Sequence, residues 1–88
     1  MIVVATKSFS KDISKIRDKK LAQKIEDAIQ KLEQANFLTE IQQLKKMTGS
    51  PNAYRIRIGD YRLGFYMIND TIQLTVFANR KEVYKYFP

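Results

Sequence analysis

The sequence predicts an α+β domain in which two N-terminal helices pack on one face of a small, largely antiparallel sheet, in the order β-α-α-β-β-β. Three observations predict it. Apolar residues in the first half recur at spacings of three and four, and those in the second half alternate with polar ones. Turn dipeptides then cut the second half into strand-length runs. The 88 residues make one domain, spanning 1–88. A chain of this size buries roughly 60–65% of its unfolded surface, so its core is small. An apolar content of 44% is enough to build that core and argues against disorder.

Ile2-Val3-Val4-Ala5 reads as a short edge strand. Ser8 is placed to cap a first helix that carries Phe9, Ile13 and Ile16 on one side. Asp18 is placed to cap a second, with Leu21, Ile25, Ile29 and Leu32 as its apolar stripe. The outer face of that helix carries Lys20, Lys24, Glu26, Asp27, Lys31 and Glu33. Residues 36–48 have a mixed pattern and predict a short helical or irregular connection, followed by a loop at Gly49-Ser50-Pro51-Asn52. Strands are expected at Ala53–Ile58, Tyr61–Ile68 and Thr71–Ala78, joined by turns at Gly59-Asp60 and Asn69-Asp70. Lys81–Phe87 forms a short helix or a tail.

Composition excludes several kinds of chemistry. There is no cysteine, hence no disulfide or thiolate site, which fits a reducing cytoplasm. There is no histidine, the commonest metal ligand and general base. No metal and no cofactor are expected. The opening Met1–Lys7 is too short and lacks the basic flank of a signal peptide. No run approaches the ~20 apolar residues of a membrane span. Sixteen Lys and Arg against nine Asp and Glu give a formal charge of +7, which points to a polyanionic partner.

The first hairpin locates much of that charge. A two-residue turn at Gly59-Asp60 sets Ile58 against Tyr61, Arg57 against Arg62, Ile56 against Leu63 and Arg55 against Gly64. Alternation then gathers Tyr54, Ile56, Ile58, Tyr61, Leu63 and Phe65 on one side, under the helices. The other side carries Arg55, Arg57, Arg62, Gly64 and Tyr66. Like charges directly opposite are unfavourable, and a bound phosphate would relieve them. The ordinary alternative is a solvated face with carboxylate partners, yet residues 53–68 contain one acid, Asp60. Gly64 leaves a gap where a backbone or a base can come close. In the last strand, strict alternation puts Gln73, Thr75, Phe77 and Asn79 on the arginine side and turns Arg80 away, unless a bulge or the strand's end rotates it back.

Tyr54–Leu63, followed about 20 residues on by Asn79-Arg80-Lys81-Glu82-Val83-Tyr84, resembles the signature of RelE-type toxins of the RelE/ParE superfamily. Leu44-Lys45-Lys46-Met47-Thr48-Gly49 resembles that family's basic segment before the sheet. The resemblance covers nearly the whole chain. It implies an endoribonuclease that cuts messenger RNA in the ribosomal A site and is neutralised by a cognate antitoxin. Its catalytic positions fall on Arg55, Arg57, Arg62, Arg80 and Tyr84, and its RNA contacts on Lys45, Lys46 and Lys81. Metal-free RNA cleavage uses the 2′-hydroxyl as nucleophile and needs charge neutralisation, which arginines supply. Some members carry lysine at the positions of Arg55 and Arg57. Arginine effectively cannot exchange a proton, which leaves the general base open among Tyr84, Lys45, Lys46 and Glu82. Two alternatives remain: a ParE-like inhibitor of DNA gyrase on the same fold, and a nonenzymatic RNA-binding module.

Overall fold

Each helix begins where a side-chain oxygen meets its first free amides. Asp18 caps the longer one, its Oδ1 accepting from the amides of Lys20 and Leu21 at 2.9 and 3.2 Å. The shorter helix is capped by Thr6, not by Ser8 as its position suggests. Thr6 Oγ1 accepts from the Phe9 amide at 3.2 Å and donates to the Leu74 carbonyl at 2.9 Å. Thr6 wins because its hydroxyl serves both the helix and the neighbouring strand, whereas Ser8 is already inside the helix.

The computed structural model describes residues 1–88. The chain runs β1 (Ile2–Ala5), α1 (Lys7–Ser14), α2 (Lys19–Gln34), a 3₁₀ turn at Leu38–Glu40, β2 (Leu44–Lys46), β3 (Ala53–Ile58), β4 (Tyr61–Ile68), β5 (Thr71–Asn79) and a 3₁₀ turn at Val83–Lys85. The strands form one sheet in the order β1-β5-β4-β3-β2. Only the β1–β5 pair is parallel. The α+β architecture expected from the sequence is therefore present, with one extra edge strand. Residues 36–48 are not merely a connection, because β2 pairs Leu44, Lys45 and Lys46 with Ile56, Arg55 and Tyr54.

The turns set the register. Gly59 takes φ +59, a conformation glycine adopts without strain. Asn69 and Asp70 both take positive φ, as a type I′ hairpin requires. The expected β3–β4 pairing holds at every position, from Ile58↔Tyr61 to Tyr54↔Phe65. β5 departs from strict alternation. It pairs Leu74 with Phe65 and then Val76 with Gly64, leaving Thr75 as the extra residue of a bulge. Beyond it the faces are exchanged. Phe77 and Asn79, expected on the arginine side, lie opposite Leu63 and Tyr61 on the helix side.

The main core lies between helices and sheet: Phe9, Ile25, Leu32, Ile56, Ile58, Leu63, Phe65, Ile72, Leu74 and Phe77. Tyr54 stacks on Phe65 and Tyr61 on Phe77, at 5.5 and 5.1 Å between ring centres. Pairing of β1 with β5 stops at Ala5↔Leu74. There α1 takes over the open edge, and Asp12 Oδ2 accepts from the Phe77 amide at 3.0 Å. A second, smaller core of Ala53, Val76, Val83 and Phe87 lies on the other face, where the C-terminal segment folds back over the sheet.

Candidate functional site

β3 and β4 carry Arg55, Arg57 and Arg62 to the face turned away from the helices. Arg57 stands across from Arg62. The Arg57 amide points outward instead, to the Gln43 carbonyl at 3.1 Å. The two arginines therefore form a non-hydrogen-bonded pair, the kind in which facing side chains lie closest, about 4.5 Å between Cα atoms. The Arg62 guanidinium bends toward the hairpin end. Its Nη1 donates to the carbonyls of Gly59 and Tyr61 at 3.0 and 2.8 Å. Backbone carbonyls thus hold it without neutralising its charge.

Arg80 is brought to the same turn. Its amide donates to the Asp60 carbonyl at 2.8 Å. The bulge at Thr75 returns Val76 and Ala78 to the arginine side, and Arg80 follows directly after the last paired residue, Asn79. The backbones of Arg57, Arg62 and Arg80 thus all lie within a few residues or one hydrogen bond of the Gly59-Asp60 turn. Arg55 lies one row further in, between Lys45 on β2 and Gly64 on β4. None of these arginines forms an ion pair with a carboxylate: the single ion pair of the molecule is Lys85–Glu82, 3.2 Å apart at the surface.

The remaining expected residues divide. Lys45 joins the arginine face. Lys46 does not, because it pairs with Tyr54 and shares the helix side of β2. Its expected place beside the arginines is corrected on that ground. Lys81 is exposed, and its amide is held by Asn79 Oδ1 at 3.0 Å. Tyr84 is 55% exposed on the 3₁₀ turn, directly after buried Val83. Gly64 leaves no gap for a ligand: a Cβ there would lie 2.8 Å from the Phe87 ring, so the space is filled by Phe87.

The burial of Val83 and Phe87 on this face escaped sequence reasoning. The only signal available was Ala53 near a strand glycine, Gly64, on the arginine side, because Val76 reaches that side only through the bulge. The tail covers that end of the face as far as Ala78, which packs against it, and Arg57 beyond is exposed. One cavity, about 450 Å³, lies elsewhere, between α2 and the β3 edge. It reaches Arg57 at its lip, together with Lys24, Lys31 and Glu40, and excludes Arg55, Arg62, Arg80 and Tyr84. The arginine site is therefore a sheet platform outside this cavity, with a second cavity of about 520 Å³ beside it at Ala78, Glu82 and Tyr86. No three carboxylates cluster where they could hold a metal ion. No helix is long and apolar enough to cross a membrane.

Such a platform can grip a phosphodiester from one side but cannot by itself orient a flexible strand. Comparison with known proteins identifies the fold and the family. Residues 3–84 match the family described as the ParE toxin of the type II toxin–antitoxin system, parDE. Toxin RelE3 of Methanocaldococcus jannaschii is 35% identical over 89 residues, covering 100% of both chains. The fold matches the RelB–RelE antitoxin–toxin complex from Methanococcus jannaschii with TM-score 0.80 and 32% identity, over 97% of this chain and 99% of that one. The archaeal RelE–RelB complex from Pyrococcus horikoshii matches with TM-score 0.73 and 22% identity, over 90% and 93%.

Proposed function

The chain belongs to the RelE/ParE superfamily of toxins of type II toxin–antitoxin systems, and from that premise we propose that it is a ribosome-dependent messenger RNA endonuclease. The observation that supports the proposal is the strand register that puts Arg55, Arg57 and Arg62 on one face, with the Arg80 amide bonded to the adjoining turn and no arginine in an ion pair. Desolvating like charges together is unfavourable unless an anion occupies the space between them.

In the proposed reaction the 2′-hydroxyl of the RNA loses its proton and attacks the adjacent phosphorus. The bond from phosphorus to the 5′-oxygen breaks, and that oxygen takes up a proton. The products are a 2′,3′-cyclic phosphate and a 5′-hydroxyl. Extra negative charge builds on the phosphate oxygens in the transition state, where Arg55, Arg57, Arg62 and Arg80 would stabilise it. Tyr84 stacks on a base or contacts the reacting hydroxyl. Lys45 and Lys81 hold flanking phosphates. Such a reaction needs no metal or other cofactor. A sheet platform needs its substrate oriented from outside, which the ribosomal A site provides. This location makes the toxin cytoplasmic. Its antitoxin, on this reading, carries an acidic segment that folds over the arginine face.

The match to a family described as ParE favours a second reading, inhibition of DNA gyrase. A translation reaction distinguishes the two. The nuclease cuts transcripts at codons inside ribosomes. Whole transcripts together with arrested DNA supercoiling would establish the second reading instead.

A further inference from the structure

Phe87 occupies a socket that only a glycine leaves open. It is 1% exposed, whereas Tyr84 and Tyr86 before it are 55% and 72% exposed. Its ring meets Tyr66 edge to face, 5.1 Å between centres at 62°. A Cβ on Gly64 would lie 2.8 and 2.9 Å from two ring carbons of Phe87 and 2.7 Å from Val76 Cγ1. Any side chain at position 64 would therefore displace the ring or the strand.

Backbone bonding does not hold this segment in place. The Arg80 amide reaches Asp60, but from Lys81 onward every bond is local. Glu82 donates to Asn79, Lys85 to Glu82 and Tyr86 to Val83. Two apolar side chains, Val83 and Phe87, are what fix the segment to the sheet. They flank Tyr84 on both sides in the chain. We infer that Phe87 is a positioning residue: seated on Gly64, it holds Tyr84 at the border of the arginine face. The inference rests on the nuclease reading above.

The role is distinct from general stability because the socket belongs to the small outer core, not to the cluster under the helices. Loss of the Phe87 ring frees the tail and leaves the main core intact. A misplacement of about 1 Å near a reacting group costs on the order of 10²-fold in rate.

The test uses the full chain on ribosomes programmed with one messenger RNA. Single-turnover cutting and half-saturating toxin concentration are measured for the wild type, Phe87→Ala and Phe87→Leu, with amide exchange followed in parallel. The expected result for Phe87→Ala is a rate lower by about 10²-fold, with half-saturation changed only a few-fold. The amides of Lys85 and Tyr86 lose protection while those of β4 keep it, and Phe87→Leu recovers most of the rate. Cutting by Phe87→Ala at the wild-type rate overturns the inference, as does a loss that comes only with opening of β4. A wild type that cuts nothing on ribosomes removes the nuclease reading itself, a separate and recognisable outcome.

Discussion

Replacing Arg57 by Gln should make the protein more stable while it loses its activity. Arg57 is exposed and faces Arg62 in a pair whose side chains lie close together. Two unit charges about 7 Å apart in water repel by roughly 0.6 kcal/mol. Measured cross-strand pair terms are similar, about 0.2–1 kcal/mol. Gln keeps the Cβ and Cγ methylenes and a polar end, and removes the charge. A gain of about 0.5 kcal/mol raises Tm by roughly 2–4 °C in a domain of this size. The screening length is about 10 Å in 0.1 M salt and about 3 Å in 1 M, so the gain should fade as salt is added. Thermal melts of both proteins at low and high salt measure this. The reasoning is refuted if Arg57→Gln melts at or below the wild type in low salt, or if its advantage persists unchanged at 1 M.

Other sites give independent tests. Asp12→Ala removes the acceptor of the Phe77 amide at the open edge of β5, and urea unfolding should show a loss of about 1–3 kcal/mol. The Glu40 carboxylate is held below its ordinary pKa by the amides of Phe37 and Asn36. Its contribution to stability is present above the unfolded glutamate value of about 4.3 and is lost as pH falls through the lower folded value. The difference in urea midpoint between wild type and Glu40→Gln should therefore be present near neutral pH and close in acid. Binding of single-stranded RNA should weaken with salt, and Arg80→Ala should make the logarithmic slope shallower by about 0.7, read by titration at several salt concentrations.

How much of this was legible in the sequence depended on how local the determinants were. The β3–β4 register followed from one two-residue turn, because Gly59-Asp60 fixes every pair beyond it. The α2 stripe of Leu21, Ile25, Ile29 and Leu32 was visible because sixteen residues give the helical period room to repeat. Strand β2 was hidden: Leu44-Lys45-Lys46 is too short and too charged to alternate, and it exists because the outer amides of β3 need partners. The bulge at Thr75 has no signal in its own residues, since it is set by how β5 meets β4. The tail on the arginine face was equally non-local, as Gly64 and Phe87 lie far apart in the chain. Of the site itself, Arg55, Arg57 and Arg62 were placed by the alternation alone, whereas Lys45 was named only by the resemblance and reaches their face through the hidden strand β2. The place of Arg80 depended on the bulge, and Lys46 fell on the far side.

The most direct test of the arginine platform compares two basic residues on opposite faces of the same sheet. Single-turnover cutting of ribosome-bound messenger RNA is measured for Arg62→Ala and for Lys46→Ala, with folding checked by circular dichroism. The account predicts a loss of about 10²–10³-fold for Arg62→Ala, as for removal of one transition-state donor. Lys46→Ala should stay within a few-fold of the wild type. Equal losses in the two variants, or undiminished cutting by folded Arg62→Ala, would contradict it.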